Sequence, residues 1–262
     1  MLLAIDIGNT DIKIGLFKGE KAFCNWRLVT DKGATLKQYK KLLRRLFTRQ
    51  KVKNANIDEI IICSVVPNLT KIFKKALFLL LKIKPLILGK DIVAPIKNLY
   101  RRPEQVGQDR LANAAAAFSK YGGPVIVVDF GTALTFDLVT AQGSYLGGVI
   151  VPGMEVSLKA LTRAADLLPE IGLGRPRALL GRETASSMRS GLVYGYSFLV
   201  EGMLQQLKKE LKSRPYVVAT GGKASLMSHY CRSIDRINEN LTLEGLLKTA
   251  LQRRKQTKRL KR

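Results

Sequence analysis

The chain has 262 residues, 46% apolar and 25% charged, with 45 Lys and Arg against 20 Asp and Glu for a formal net charge of +25. That length and balance admit one large domain or two smaller ones sharing a cleft, and exclude a fibrous or extensively disordered chain. Cys24, Cys63 and Cys231 show no C-x-x-C spacing, which excludes a disulfide framework or a zinc ribbon and suits a reducing compartment, so a cytoplasmic location is expected.

In chain order, Leu2 to Ile5 form an apolar run ending in Asp6-Ile7-Gly8-Asn9-Thr10, after which Ile12, Ile14 and Leu16 alternate with polar or Gly positions. That pattern predicts strand, tight turn, strand. No basic leader precedes Asp6, so a signal peptide is not expected. A strand follows at Ala22 to Leu28, then an amphipathic helix at Thr35 to Thr48, a strand at Glu59 to Val65, a helix at Leu69 to Leu81 and a short strand at Pro85 to Leu88. The densest apolar run, Ala76 to Leu81, is far short of the roughly 20 residues that cross a bilayer, and no membrane partner is expected. Asp109 to Tyr121, rich in alanine, reads as a strong helix.

The opening device then returns. Pro124 to Val128 is a buried β-branched run, followed by Asp129-Phe130-Gly131-Thr132-Ala133-Leu134-Thr135 and a second strand from Phe136 to Val139. A strand at Val149 to Met154, helices at Glu155 to Leu161, Glu183 to Lys212 and Leu243 to Leu251, and a strand at Tyr216 to Thr220 complete the reading. Two copies of one device half a chain apart predict two similar α/β halves facing each other across a cleft, 1–115 and 116–252. Seven of the last ten residues are Lys or Arg with no acid among them, and 253–262 reads as a basic tail or frayed helix end. The remaining positive charge is spread over Lys37 to Lys53 and Lys71 to Lys84. With one Trp and no interleaved aromatic pattern, it predicts no dedicated nucleic-acid site.

A carboxylate at the end of a buried strand, followed at once by Gly and then Asn or Thr, can hold Mg²⁺ or its water shell while Gly8, Asn9 and Thr10 donate to phosphoryl oxygens. An isolated turn of this kind can equally be an Asx turn. A matching pair is the layout of an ATP cleft. Gly221-Gly222 offers a backbone-approach site suited to adenosine, or a plain strand-to-helix turn. Asp109 opens the alanine-rich helix beside Arg110, where it is either a simple N-cap or an anion able to take a proton from an alcohol. His229 has no metal-ligating or acidic residue near it in sequence and reads as an ordinary helix-end residue.

Asp6-Ile-Gly-Asn-Thr, Gly107-x-Asp-Arg and Asp129-Phe-Gly-Thr-Ala, in this order, resemble the signatures of type III pantothenate kinases. Trp26-Arg27 with Thr30, Ser64-Val-Val-Pro67, Gly147-Gly-Val-Ile-Val-Pro-Gly153, Ala219-Thr-Gly-Gly222 and Leu241-Thr-Leu-Glu-Gly245 extend the resemblance to about residue 250. It implies two RNase H-like, actin-like ATPase halves with mixed sheets flanked by helices. It further implies transfer of the ATP γ-phosphoryl group to the primary hydroxyl of pantothenate, with Mg²⁺ accompanying the nucleotide.

By position, the resemblance puts Asp6, Ile7, Gly8, Asn9, Thr10, Asp11, Ile12 and Lys13 on ATP together with Thr132. It makes Asp109 the base and has Asp129 bind K⁺ or NH₄⁺. Tyr100, Gly107, Gln108, Asp109, Arg110 and Thr184 would hold pantothenate, with Arg110 a candidate for its carboxylate, and the chain would form a homodimer through the helix at Glu183 to Lys212. Arg102, Gln108 and Leu134 depart from the family pattern, Leu134 standing where a hydroxyl residue is usual. Two competing readings are a ligand-sensing protein on the same fold, against which the intact Asp6, Asp109 and Asp129 speak, and a nucleic-acid-associated protein using the basic surface.

Overall fold

The computed structural model describes residues 1–50 and 56–260. Lys51 and Lys53 of the first basic stretch, and Lys261 and Arg262 of the expected tail, lie outside the described residues. The chain divides into two compact units, one comprising Met1–Ile96, Arg102–Ala116 and Leu241–Arg262, the other Lys97–Arg101 and Ala117–Asn240.

The first unit is built on strands β1 (Leu2–Ile7), β2 (Asp11–Lys18), β3 (Lys21–Val29), β4 (Glu59–Ser64) and β5 (Leu86–Ile87), in the spatial order β3-β2-β1-β4-β5. The β1–β2 and β2–β3 pairs are antiparallel, whereas β4 and β5 run parallel to β1. Alternation decides the faces. Leu3, Ile5, Ile7, Ile12, Ile14, Ile60 and Ile62 point to one side, where helices α1 (Leu36–Arg49) and α2 (Pro67–Leu81) cover them with Tyr39, Leu43, Phe47, Leu69 and Phe73. Helix α1 starts one residue later than the sequence suggested because Thr35 is its N-cap, locked in a capping box with Gln38. Helix α2 starts earlier, at Pro67, where the missing N–H costs nothing. Together these helices carry nine Lys and Arg and no acid. Much of the net charge is therefore a skin over one helical layer, and the core needs no ionic compensation.

The second unit repeats the plan. Strands β7 (Val125–Phe130), β8 (Ala133–Val139), β9 (Ser144–Pro152), β10 (Tyr216–Thr220) and β11 (Arg236–Ile237) lie in the order β11-β10-β7-β8-β9, which is the first sheet's order with each strand replaced by its counterpart. Strand β6 (Lys97–Asn98) adds a sixth member on the β9 edge, and a 3-10 turn at Pro103–Gln105 leads from it to helix α3 (Gln108–Tyr121). One face of this sheet, carrying Ile126, Val128, Phe130, Leu134, Phe136, Val217 and Ala219, forms the core with α4 (Met154–Ala164), α5 (Thr184–Glu210) and α6 (Ala224–Met227). Strand β9 begins five residues before the sequence reading. Gly147 and Gly148 interrupt the apolar pattern there, and Gly147, at φ +143, admits the ring of Tyr100 where a Cβ would lie 3.3 Å from it.

The C-terminal segment departs most from expectation. Helix α7 (Leu241–Leu260) belongs with the first unit and packs on β1, β2 and β4. The sequence pattern puts 116–252 in the second half and reads 253–262 as a basic tail or frayed helix end. The division inside α3 falls after Ala116, one residue from the expected boundary, but α7 returns to the first unit and continues through the basic residues. Arg253 Nη1 and Arg254 Nε donate to the two oxygens of Glu59 at 2.9 and 2.7 Å, and Arg254 also reaches Asp58. Buried carboxylate at the start of β4 thus supplies the anchor that a run of cations lacks in sequence. Among the described residues no helix is long and apolar enough to cross a membrane.

Candidate active site

Asp6 lies on the face of the first sheet away from α1 and α2. Register sets its neighbours: Lys13 opposite on β2 and Cys63 opposite on β4. Cys63 is fully buried, which pushes its thiol well above the ordinary range, and the Asp6 and Asp109 carboxylates raise it further. Two of the three carboxylates singled out in the sequence therefore act on one sulfur, from a strand end and from the first turn of α3.

The turn after Asp6 is closed from within. Gly8 N donates to Asp11 O at 2.9 Å, Thr30 Oγ1 donates to Gly8 O at 2.8 Å, and Thr30 N donates to Thr10 O at 3.0 Å. Lys32 Nζ holds Asn9 Oδ1 at 3.0 Å, and Arg27 pairs with Asp11. This corrects one expectation and narrows another. The Gly8 N–H is consumed by the hairpin and is no phosphate donor. Ile7 and Ile12 are fully buried among core residues, so any contact they make with ATP is through main chain alone. Asn9, Thr10 and Lys13 remain as the polar surface of the hairpin, and Thr30 and Lys32, to which the sequence reading assigned no role, shape it.

Asp109 is held by its neighbours. Its Oδ1 accepts from Arg110 N at 2.9 Å, while Arg110 N and Leu111 N also bond to Gly107 O. A Cβ on Gly107 would stand 2.5 Å from that same Oδ1, so any side chain there would push the carboxylate aside. Gln108, which departs from the family pattern, packs over Gly89, whose φ of +82 opens the space its side chain fills.

In the second unit Asp129 is the counterpart of Asp6, on a hairpin one residue shorter: Asp6 pairs with Lys13, whereas Asp129 pairs with Thr135. Gly131 N closes this turn on Ala133 O at 3.2 Å. Gly153, just before α4, donates to Thr132 O at 3.1 Å and lies so close to the turn that a Cβ would fall 2.3 Å from that oxygen. The N-terminus of α4 is thereby fixed against the turn, where a helix dipole favours anions. Leu134 is 1% exposed in the helix-side core and points away from Asp129, so its departure from the family pattern leaves the Asp129 face unchanged.

Behind Asp129 runs a buried polar row. Thr135 Oγ1 donates to Asp137 Oδ2 at 3.0 Å, and Tyr145 Oη donates to Asp137 Oδ1 at 2.8 Å. The ring of Tyr100 is tilted on that of Tyr145 at 6.4 Å. Thr184 is exposed in the first turn of α5. Gly221, which the sequence offers as an adenosine platform or a plain turn, has φ +91, and a Cβ on it would lie 2.4 Å from Asp129 Oδ1, so its backbone is packed on the second hairpin's carboxylate. His229 is occupied structurally, between the Ser225 carbonyl and Arg175.

Two sheets of one topology, each with a central strand that runs into Asp-x-Gly, define the actin-like ATPase and sugar-kinase fold. In agreement, an inorganic polyphosphate/ATP-glucomannokinase from Arthrobacter sp. strain KM superimposes with a TM-score of 0.51 at 17% identity, over 96% of this chain and 98% of its own. The family model for type III pantothenate kinase matches residues 2–206. Type III pantothenate kinases of Citrifermentans bemidjiense and Moorella thermoacetica are 42% and 41% identical over 246 residues, 94% of this chain and 97% of each relative. The chain belongs to the type III pantothenate kinase family, ATP-dependent enzymes that phosphorylate pantothenate in the biosynthesis of coenzyme A.

Proposed function

We propose that Asp109 is the base of this reaction, taking the proton of the primary hydroxyl of pantothenate as that oxygen attacks the γ-phosphorus of ATP and ADP leaves. The observation that carries this reading is the geometry of Asp109, which opens α3 with its Oδ1 held by Arg110 N at 2.9 Å in the same unit as Asp6, both carboxylates also raising the Cys63 thiol. Phosphoryl transfer asks a protein mainly for positioning and charge neutralisation. Asp6 would hold the Mg²⁺ that accompanies ATP, through water or directly, with Asn9, Thr10 and Lys13 on phosphoryl oxygens. Thr132 would serve the nucleotide from the second hairpin, and Asp129 would bind K⁺ or NH₄⁺. Tyr100, Gly107 to Arg110 and Thr184 would hold pantothenate, with the Arg110 guanidinium opposite its carboxylate.

The active form in this reading is a homodimer, in a reducing cytoplasm that suits the three free cysteines. Helix α5 supports it: Gly191 and Gly195 carry nothing within 4 Å of an added Cβ, and they line a groove of about 540 Å³ with Leu161, Met188, Leu192 and Leu199. A second copy of the helix could approach closely there. The test is a coupled assay of ADP release with pantothenate, with and without K⁺. Asp109→Ala should lower turnover at least ~10²-fold, and retained turnover removes Asp109 from its role. Gly195→Glu should convert a dimer to a monomer in light scattering.

A further inference from the structure

Asp6 and Asp129 are equivalent in topology but have different neighbours in register. Asp6 faces the ammonium-bearing Lys13 on its antiparallel neighbour, and Asp129 faces Thr135 at the matching place. On the parallel side Asp6 has Cys63, and Asp129 has Thr220. In strand register, hydroxyl residues thus flank Asp129 on both sides, where Lys13 and Cys63 flank Asp6.

The two threonines are not alike. Thr135 gives its proton to Asp137. Thr220 is 1% exposed, and its Oγ1 has no hydrogen-bond partner among the described residues. Its face is settled by alternation, since Val217 and Ala219 enter the helix-side core together with Val128 and Phe130, which leaves Thr220 and Asp129 side by side on the other face. The backbone that follows is drawn onto the same place: Gly221 lies against Asp129 Oδ1, and Lys223 N donates to Phe130 O at 3.3 Å. Burying a hydroxyl without a partner is unfavourable, and its oxygen lone pairs remain available to a hard cation.

We propose that Thr220 Oγ1 is a neutral oxygen ligand of the monovalent cation held at Asp129, and that it is a determinant of the cation's affinity. The proposal rests on the reading of Asp129 as the cation site. One carboxylate with uncharged oxygens matches a single positive charge, and among the described residues no cluster of three or more acidic, His or Cys side chains offers a divalent ion a better place.

The experiment is thermal unfolding of the full chain, without nucleotide, in KCl against choline chloride of equal ionic strength, beside K⁺-activation curves of the kinase reaction. Wild type should melt higher in KCl. Thr220→Val, of equal shape, should lose that rise and need about tenfold more K⁺ for half-activation, a loss of roughly 1.4 kcal/mol in cation binding, while Thr220→Ser keeps both. Should Thr220→Val not fold, Thr220→Ala is read the same way. An unchanged K⁺ response in the variant overturns the proposal and leaves Thr220 a water-bonded or merely buried hydroxyl. Wild-type kinase activity with no K⁺ response in either measurement overturns the cation reading of Asp129 and the proposal with it, whereas no phosphorylation of pantothenate at all counts against the functional reading alone.

Discussion

Asp109 Oδ1 occupies the space in which Gly107 would carry its Cβ, 2.5 Å from the ideal position. Gly107 is therefore a spacer whose missing side chain lets the Asp109 carboxylate fold back onto Arg110 N. Gly107→Ala should displace the carboxylate and lower kcat about tenfold, roughly 1.4 kcal/mol of transition-state stabilisation, with little change in melting temperature because the site is at a helix end. A variant with wild-type kcat would show that the orientation of Asp109 is not set there.

Asp109→Asn keeps the shape and the bond from Arg110 N but cannot take a proton. A loss of about 10²–10⁴-fold in kcat with pantothenate binding largely retained is expected. Isothermal titration with pantothenate separates the two effects, and an equal loss of binding and turnover would instead make Asp109 a substrate clamp.

Glu59 is a buried anchor for the C-terminal helix. Removing its charge by Glu59→Gln should destabilise the protein by about 1–3 kcal/mol, below the roughly 3–5 of a fully buried pair because both guanidiniums are partly solvated. Melting should fall by several degrees while the KM for ATP stays put. Deleting residues from 253 onward should do the same, which a solvated tail would not.

Burial, assisted by the Glu201 carboxylate, pushes the Cys231 thiol up to about 12. Above the ordinary thiol value of about 8.5 the unfolded chain gives up this proton while the folded chain keeps it. Stability is then whole below that pH and is lost as pH climbs from there toward about 12. Melting temperatures between about pH 8 and 11 should fall less steeply in Cys231→Ala than in wild type. Parallel slopes would assign the alkaline loss to other groups, Cys63 first among them.

Local pattern in the sequence is enough to specify the paired Asp-x-Gly hairpins, the helices that flank them and the position of Asp109 at a helix start, because periodicity and turn chemistry act over a few residues. It also carries the family, through motifs in a fixed order. What it cannot carry is register. That Lys13 and Cys63 flank Asp6 while Thr135 and Thr220 flank Asp129 follows from strand pairings between residues as far apart as 129 and 220, and only the assembled sheets decide them. The same holds for α7. Its apolar spacing ends near Ala250, and nothing local says that Arg253 and Arg254 would find Glu59 and continue the helix, since an ion pair across nearly two hundred residues depends on where the fold brings its partners.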